Sequence, residues 1–251
     1  MMGMVKSTRF SKMQGDQVRI LQRLWIGLLL TGLLLAGCQG RPPTDDGRPT
    51  SAPADAGGNS PVSETALPAG LLYQDDFANP LSGWRQFGPA GGMADYADGV
   101  YQVRVDGANY NVLASSGQSF SDVRLEVDAY KTPGERNNRF GLICRAADAD
   151  NLYVFLISSD GFYGIGKIVA GRPQLIGMEA MLPGEAVPLG SGLTHLRADC
   201  DGSRLALYVN GEKLYEVQDG DLIEGEVGLI AGSYSPQGTE ILFDNFKAYL
   251  P

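Results

Sequence analysis

From Leu71 onward, alternating apolar and polar residues are broken at short intervals by Asp-Gly and Asn-Gly pairs, and this punctuation limits the fold more than any other feature. Asp98-Gly99 precedes "VYQVRV", Asp160-Gly161 separates "YVFLISS" from "FYGIGKIV", Asp201-Gly202 follows "LTHLRADC", and Asn210-Gly211 separates "RLALYV" from "EKLYEV". Such pairs accept the positive φ angles of tight hairpin turns. Glycine makes up 34 of 251 residues, roughly twice the usual share of about 7%, and few of these could sit in helices without cost. Period-two runs and turns predict a dozen or more strands and no helix. That is too many strands for one immunoglobulin-like sandwich, and no blade-length repeat points to a propeller. The expected fold is all-β: two antiparallel sheets packed face to face as a jelly-roll sandwich.

The sandwich accounts for residues 71–251. Ahead of it, Lys6, Arg9, Lys12, Arg19 and Arg23 precede an apolar run, Leu24 to Leu35, which is too short for a comfortable membrane span and has the layout of a signal peptide. The run ends in Leu35-Ala36-Gly37-Cys38, which resembles the lipobox of bacterial lipoproteins. That resemblance implies cleavage after residue 37, lipidation of Cys38 and anchoring in a membrane of the cell envelope, outside the cytoplasm. An ordinary secretory leader with a chance cysteine is the alternative, and Met13 is an alternative start. Residues 38–70 are rich in Pro, Ser, Thr, Gly and Asp and contain no aromatic residue, so they read as a disordered tether. It would hold the domain roughly 30 Å from a bilayer. Cleavage removes five basic residues and Asp16 from 20 Lys+Arg and 29 Asp+Glu, leaving 15 against 28 and a net charge of −13. Such a charge argues against nucleic acid and anionic lipid as partners. On this reading the lipid, not the charge, attaches the protein to the membrane.

Four segments then carry a likeness. "DDFANPLSGW", "FGLICRAADADNLYVFLISSDGFYGIGKI", "THLRADCDGSRLALYVNGEKL" and "FDNFKAYLP" resemble the concanavalin A-like lectin/glucanase superfamily, within it the laminin-G-like and 3-keto-disaccharide-hydrolase-like domains of bacterial envelope proteins. The resemblance covers residues 71–251 and implies the jelly roll. It implies no single function, because the superfamily includes lectins, adhesion modules and glycosidases. Relatives often hold a structural calcium near the first and last strands. Asp244, in phase with Leu242, Phe246, Ala248 and Leu250, together with Asp75 or Asp76 is the candidate pair for it. The alternative is a carboxylate that ties the last strand to a loop through backbone N–H groups.

Beyond Cys38 the chain has two cysteines, Cys144 and Cys200, each in phase with apolar neighbours. An even pair in an oxidising compartment predicts a disulfide, with two separate buried thiols as the alternative. Were their strands neighbours in one sheet, Arg145 would stand beside Asp199. With His195 the only histidine, zinc sites and metallohydrolase motifs are poorly supplied, and no Gly-x-Ser-x-Gly elbow accompanies it. His195 reads as a strand residue facing solvent.

"RLEVDAYK", Arg124 to Lys131, resembles the catalytic strand of laminarinase- and lichenase-type glycosidases, which reads Glu, apolar, Asp, apolar and then a second Glu. Glu126 and Asp128 match, but Tyr130 and Lys131 occupy the later positions. The general acid that retaining hydrolysis needs is therefore missing, and alternation alone explains the two acids as the polar face of a half-buried strand. Sugar binding without chemistry uses aromatic faces and a few fixed polar groups. The richest local supply is Arg145, Asp150, Asn151, Tyr153, Phe162 and Tyr163, with Trp84, Asn109 and Tyr110 further away. Arg145, Asn151, Tyr153 and Tyr163 are the candidate ligand-binding residues, and no catalytic residue is assigned. The expected function is a lipid-anchored, non-catalytic module binding carbohydrate or another envelope ligand. A glycoside hydrolase and a structural or adhesion domain are the alternatives, and calcium is the one candidate cofactor.

Overall fold

The computed structural model describes residues 68–251 except Pro89. The leader, Cys38 and nearly all of the tether lie outside the described residues. Fifteen strands and no helix are found among the described residues. They are β1 (Leu71–Asp75), β2 (Gly92–Ala97), β3 (Val100–Val105), β4 (Tyr110–Phe120), β5 (Val123–Lys131), β6 (Asn138–Asp148), β7 (Asn151–Ile157) and β8 (Phe162–Val169). Then follow β9 (Arg172–Leu175), β10 (Leu182–Pro183), β11 (Gly192–Asp201), β12 (Arg204–Val209), β13 (Glu212–Gln218), β14 (Gly225–Ser233) and β15 (Thr239–Tyr249). Two of the expected hairpins are two-residue turns with both φ angles positive: 52° and 81° at Asp98-Gly99, 51° and 87° at Asn210-Gly211.

The strands form two antiparallel sheets. Sheet A runs β13-β12-β11-β5-β15-β3-β2, and β1 pairs with the part of β15 that β3 leaves free. Sheet B runs β10-β8-β7-β6-β14-β4, with β9 also on β8. Between them lies one core of inward side chains, in which Val123, Leu125, Val127 and Ala129 of β5 pack with Phe140, Leu142, Phe155 and Leu229 of sheet B. Trp84 is buried there, edge-on to Phe77 at 5.1 Å and to Phe246 at 4.9 Å, with Nε1 donating to the Tyr73 hydroxyl. It plugs the core and is no platform for a ligand.

Cys144 and Cys200 form a disulfide. It joins β6 in sheet B to β11 in sheet A, so it pins one sheet to the other. Arg145 and Asp199 therefore do not meet: Asp199 is held by Arg197 on the outer face of sheet A.

Alternation fails at one place in β15. Ile241 and Phe243 point inward, but so do Phe246 and Ala248, because the register against β5 slips between Asp244 and Lys247, where Asn245 has a φ of 55°. This bulge puts Asp244 on the outer side rather than in the core. Its carboxylate accepts the Asn245 N–H.

Removing the inter-sheet bridge, whose cysteines are 56 residues apart, should cost about 4 kcal/mol in the chain-entropy model. Cys144→Ala with Cys200→Ala is expected to lower the melting temperature clearly. Alkylation without reductant should leave both thiols unlabelled in the parent protein, and labelling of either would contradict the bridge.

Candidate functional site

The four candidate ligand residues do not come together on a surface. Tyr153 and Tyr163 share a face, as their phase requires, but it is the inner one: Tyr153 is fully buried and Tyr163 packs partly buried against the core. Alternation assigns two residues to one face without saying which face it is. The Tyr153 hydroxyl donates to Asp219 Oδ1 at 2.5 Å and accepts the Leu222 N–H at 3.1 Å, and burial first, then the Asp219 hydrogen bond, pushes its pKa up to about 12. Asn151 closes a turn between Asp148 and Ala170. Arg145 sits at a bulge with φ 51° and is buried, donating to Ser121 O at 2.7 Å, Leu222 O at 3.0 Å and Asp122 Oδ1 at 3.1 Å. It ties loops together and faces no ligand.

Behind Tyr153, Lys167 bridges Asp219 and Asp221. Burial works against its charge, yet the two carboxylates outweigh burial and raise its pKa. Burial likewise pushes Asp219 up, but hydrogen bonds from Lys167, Tyr153 and the Asp221 amide hold its carboxyl below the usual range.

The acids of β5 lie on the outer face of sheet A, in a ladder of paired charges. Asp128 accepts from Asn245 Nδ2 at 3.0 Å and lies 2.8 Å from His195 Nδ1, while Glu126 lies 3.4 Å from Arg124 Nε. His195 is half exposed, as expected of a solvent-facing strand residue. Lys131 turns to the other face of the strand and is buried. The calcium pair does not assemble either. Asp75, not Asp244, turns inward, and its carboxylate is already satisfied by the Phe77 N–H and the Tyr73 hydroxyl. Asp76 is exposed and caps Ala78, and among the described residues no three acidic, His or Cys side chains stand close enough together to hold a metal ion. The residues present do not fit the metal.

The surface built differently from its surroundings is the outer face of sheet B. One row across the strands reads Leu113, Ile230, Gly141, Leu156, Gly164, and the next Ser115, Gly228, Ile143, Val154, Gly166. Ile143, Leu152, Val154, Leu156 and Ile230 form a second apolar cluster, packed with Leu113, Ala146, Ile168 and Met181, apart from the inter-sheet core. The glycines keep the floor low: a Cβ at Gly141 or Gly228 would run into the carbonyl oxygen of Phe155 or Ala114. Over this floor lie two cavities. One, about 320 Å³, is bounded by Arg85, Asp148 and Glu226, and the other, about 390 Å³, by Asn111, Arg139, Gln174 and Tyr234. At the second end the Arg139 guanidinium lies 4.2 Å over the Tyr234 ring and donates to Asn111 Oδ1 at 2.7 Å. At the first, Ser115 donates to Glu226. An apolar trough with polar groups fixed at both ends suits a ligand with C–H faces and peripheral hydroxyls. The sequence did carry a signal for it: "LYVFLI" and "VGLIAG" are continuous apolar runs, the mark of strands with two faces to hide.

Neither a protein-family model nor a curated relative matches the sequence. Solved structures do match in fold. The carbohydrate binding module CBM66 from Bacillus subtilis is 22% identical with a TM-score of 0.55, over 67% of this chain and 96% of that one. The Bacillus licheniformis beta-glucanase is 10% identical with a TM-score of 0.54, over 74% and 99%. The catalytic domain of an endo-1,3-beta-glucanase (laminarinase) from Thermotoga petrophila is 12% identical with a TM-score of 0.50, over 71% and 96%. The fold is the concanavalin A-like sandwich. Within this concanavalin A-like frame, sheet A carries the charged outer face and sheet B the trough.

Two outcomes follow. Tyr153→Phe should cost about 2 kcal/mol, one hydrogen bond to a charged group and one to a backbone amide, with no effect on any ligand held in the trough; loss of ligand on that change would contradict the placement. Asp219 has a folded pKa below its unfolded one, so its contribution to stability is full above about pH 4 and is lost as pH falls through the depressed value. The melting temperature of Asp219→Asn should therefore fall less steeply between pH 5 and pH 2 than that of the parent; equal slopes would contradict it.

Proposed function

We propose that the protein is a carbohydrate-binding module that holds a glycan in the trough of sheet B without cleaving it, and that the lipid on Cys38 anchors it in the cell envelope. The observation that carries the reading is the apolar, glycine-floored face ending in the fixed polar pair Arg139 and Asn111. Pyranose or furanose C–H faces would lie on Leu156, Val154 and Ile230, and hydroxyls would reach the guanidinium, the amide and the exposed ring of Tyr234. The likeness to a carbohydrate binding module and to glucanases is one of fold, and the trough is what turns the fold toward sugar. The N-terminal reading rests on the basic residues ahead of the apolar run Leu24 to Leu35 and on Leu35-Ala36-Gly37-Cys38 at its end.

Binding without hydrolysis fits the acids. Glu126 and Asp128 are engaged on the opposite sheet, with no acid at Tyr130 or Lys131. A hydrolytic second reading has one observation in its favour: Glu226 and Asp148 border the same cavity. Both already accept hydrogen bonds from the protein, Glu226 from Ser115 and Asp148 from the Asp150 and Asn151 nitrogens.

Pull-down of the full chain on a panel of bacterial and plant polysaccharides, with released sugar assayed in the same wells, tests both readings. Retention without release is expected. Arg139→Ala and Tyr234→Ala should each weaken retention by about tenfold, and Leu156→Asp, which places a charge in the floor, should abolish it. Release of sugar that disappears in Glu226→Gln would replace binding by hydrolysis. Unchanged retention in all three trough variants would place the ligand elsewhere.

A further inference from the structure

The residue that stands where the glycosidases have their second acid has a place of its own. Lys131 ends β5 on the inner face of sheet A, at the end of the sandwich opposite the Arg145 clamp, and is only 3% exposed. Its ammonium, with three protons to donate, donates to the Thr132 carbonyl at 2.5 Å, and among the described residues no carboxylate comes within 4.0 Å of it. Burial lowers its pKa, against the pull of Glu240 and Glu135. On the adjoining strand β15, Thr239 is 8% exposed and its hydroxyl has no hydrogen-bond partner. Both residues line one cavity of about 450 Å³, walled by the loops 132–135 and 237–238. A buried ammonium with spare donors beside an unpaired hydroxyl is costly unless acceptors arrive from outside.

The lining decides what kind of acceptor. Around the cavity stand two cations, Arg104 and Lys131, and three carboxylates, Asp106, Glu135 and Glu240. Arg104 is committed to Asp106 at 2.7 Å. An anion would meet an excess of negative charge, and a cation would meet the Lys131 ammonium in the wall. A neutral ligand with several hydroxyls satisfies both sets, since its oxygens accept from Lys131 and its O–H groups donate to Glu135 and Glu240. We propose that this end pocket is a second binding site, independent of the trough, for a neutral polyhydroxylated unit the size of a monosaccharide. Gly134 and Gly238 suit the pocket's loops, with φ angles of 142° and 73°.

The test is an NMR titration of the ¹⁵N-labelled full chain, held in a phosphocholine detergent that carries no sugar, with glycerol, D-glucose, D-galactose, D-fructose and D-glucuronate. Saturable shifts of the Thr132, Gly134, Gly238 and Thr239 amides with at least one neutral probe are expected, with affinity about tenfold weaker in Lys131→Met and in the near-isosteric Thr239→Val and unchanged in Arg139→Ala. If Lys131→Met does not fold, Thr239→Val alone decides. Absence of a saturable shift at these amides with every neutral probe, a response to glucuronate only, or binding that survives the substitutions would overturn the proposal. Shifts confined to Gly228, Ile230 and Gly232 would do so as well, while supporting the trough.

Discussion

Every strand of a sandwich must hide one face, and the central strands of sheet B have two faces to hide. That constraint separates the two sheets of this protein. β5 and β11 of sheet A pair an apolar inner face with an outer ladder of Arg124, Glu126, Asp128, His195, Arg197 and Asp199, whose charges pair with one another. β6, β7 and β14 of sheet B bury Leu142, Phe155 and Leu229 inward and still carry Ile143, Val154, Leu156 and Ile230 outward. Those outward side chains are only 2–7% exposed, packed with one another and with Leu113, Ala146, Ile168 and Met181, and they form the floor of the trough. The trough and its fixed polar ends follow from that asymmetry, and the disulfide between β6 and β11 holds the two unlike sheets together.

Much of the fold was legible in the residues. Asp98-Gly99 and Asn210-Gly211 mark real hairpins, and the alternation of "VRLEVDAYK" assigns Val123, Leu125, Val127 and Ala129 to one buried face. The failures are local and share a physical cause. At Asn245 and Arg145 the backbone adopts a positive φ outside any glycine, and each bulge resets the phase beyond it. Asp244 is thereby moved from the core to the outer side, and Arg145 from the surface to a buried clamp. Such bulges are fixed by partner strands, which a single chain read in order does not display.

The candidate site was less legible for a different reason. Aromatic residues with a hydrogen-bonding tip suggest sugar, and Tyr153 and Tyr163 stand on the same side of a hairpin. In the folded chain the Tyr153 hydroxyl serves Asp219 and Leu222, and its ring fills the core. The residues that make the trough, by contrast, are Leu, Ile, Val and Gly, whose chemistry announces nothing singly. Their information lies in the continuity of "LYVFLI", which breaks the alternation seen elsewhere in the domain and so marks a strand apolar on both sides.

The central claim is that the ligand lies on the outer face of sheet B. It is tested most directly by intermolecular NOEs between an oligosaccharide from whichever polysaccharide the chain retains and the methyl groups of the otherwise deuterated protein. NOEs to Leu152, Val154, Leu156 and Ile230, with none to Leu193 or Leu242 of sheet A, are the predicted result. Contacts to the sheet A methyls with the trough methyls silent would contradict it.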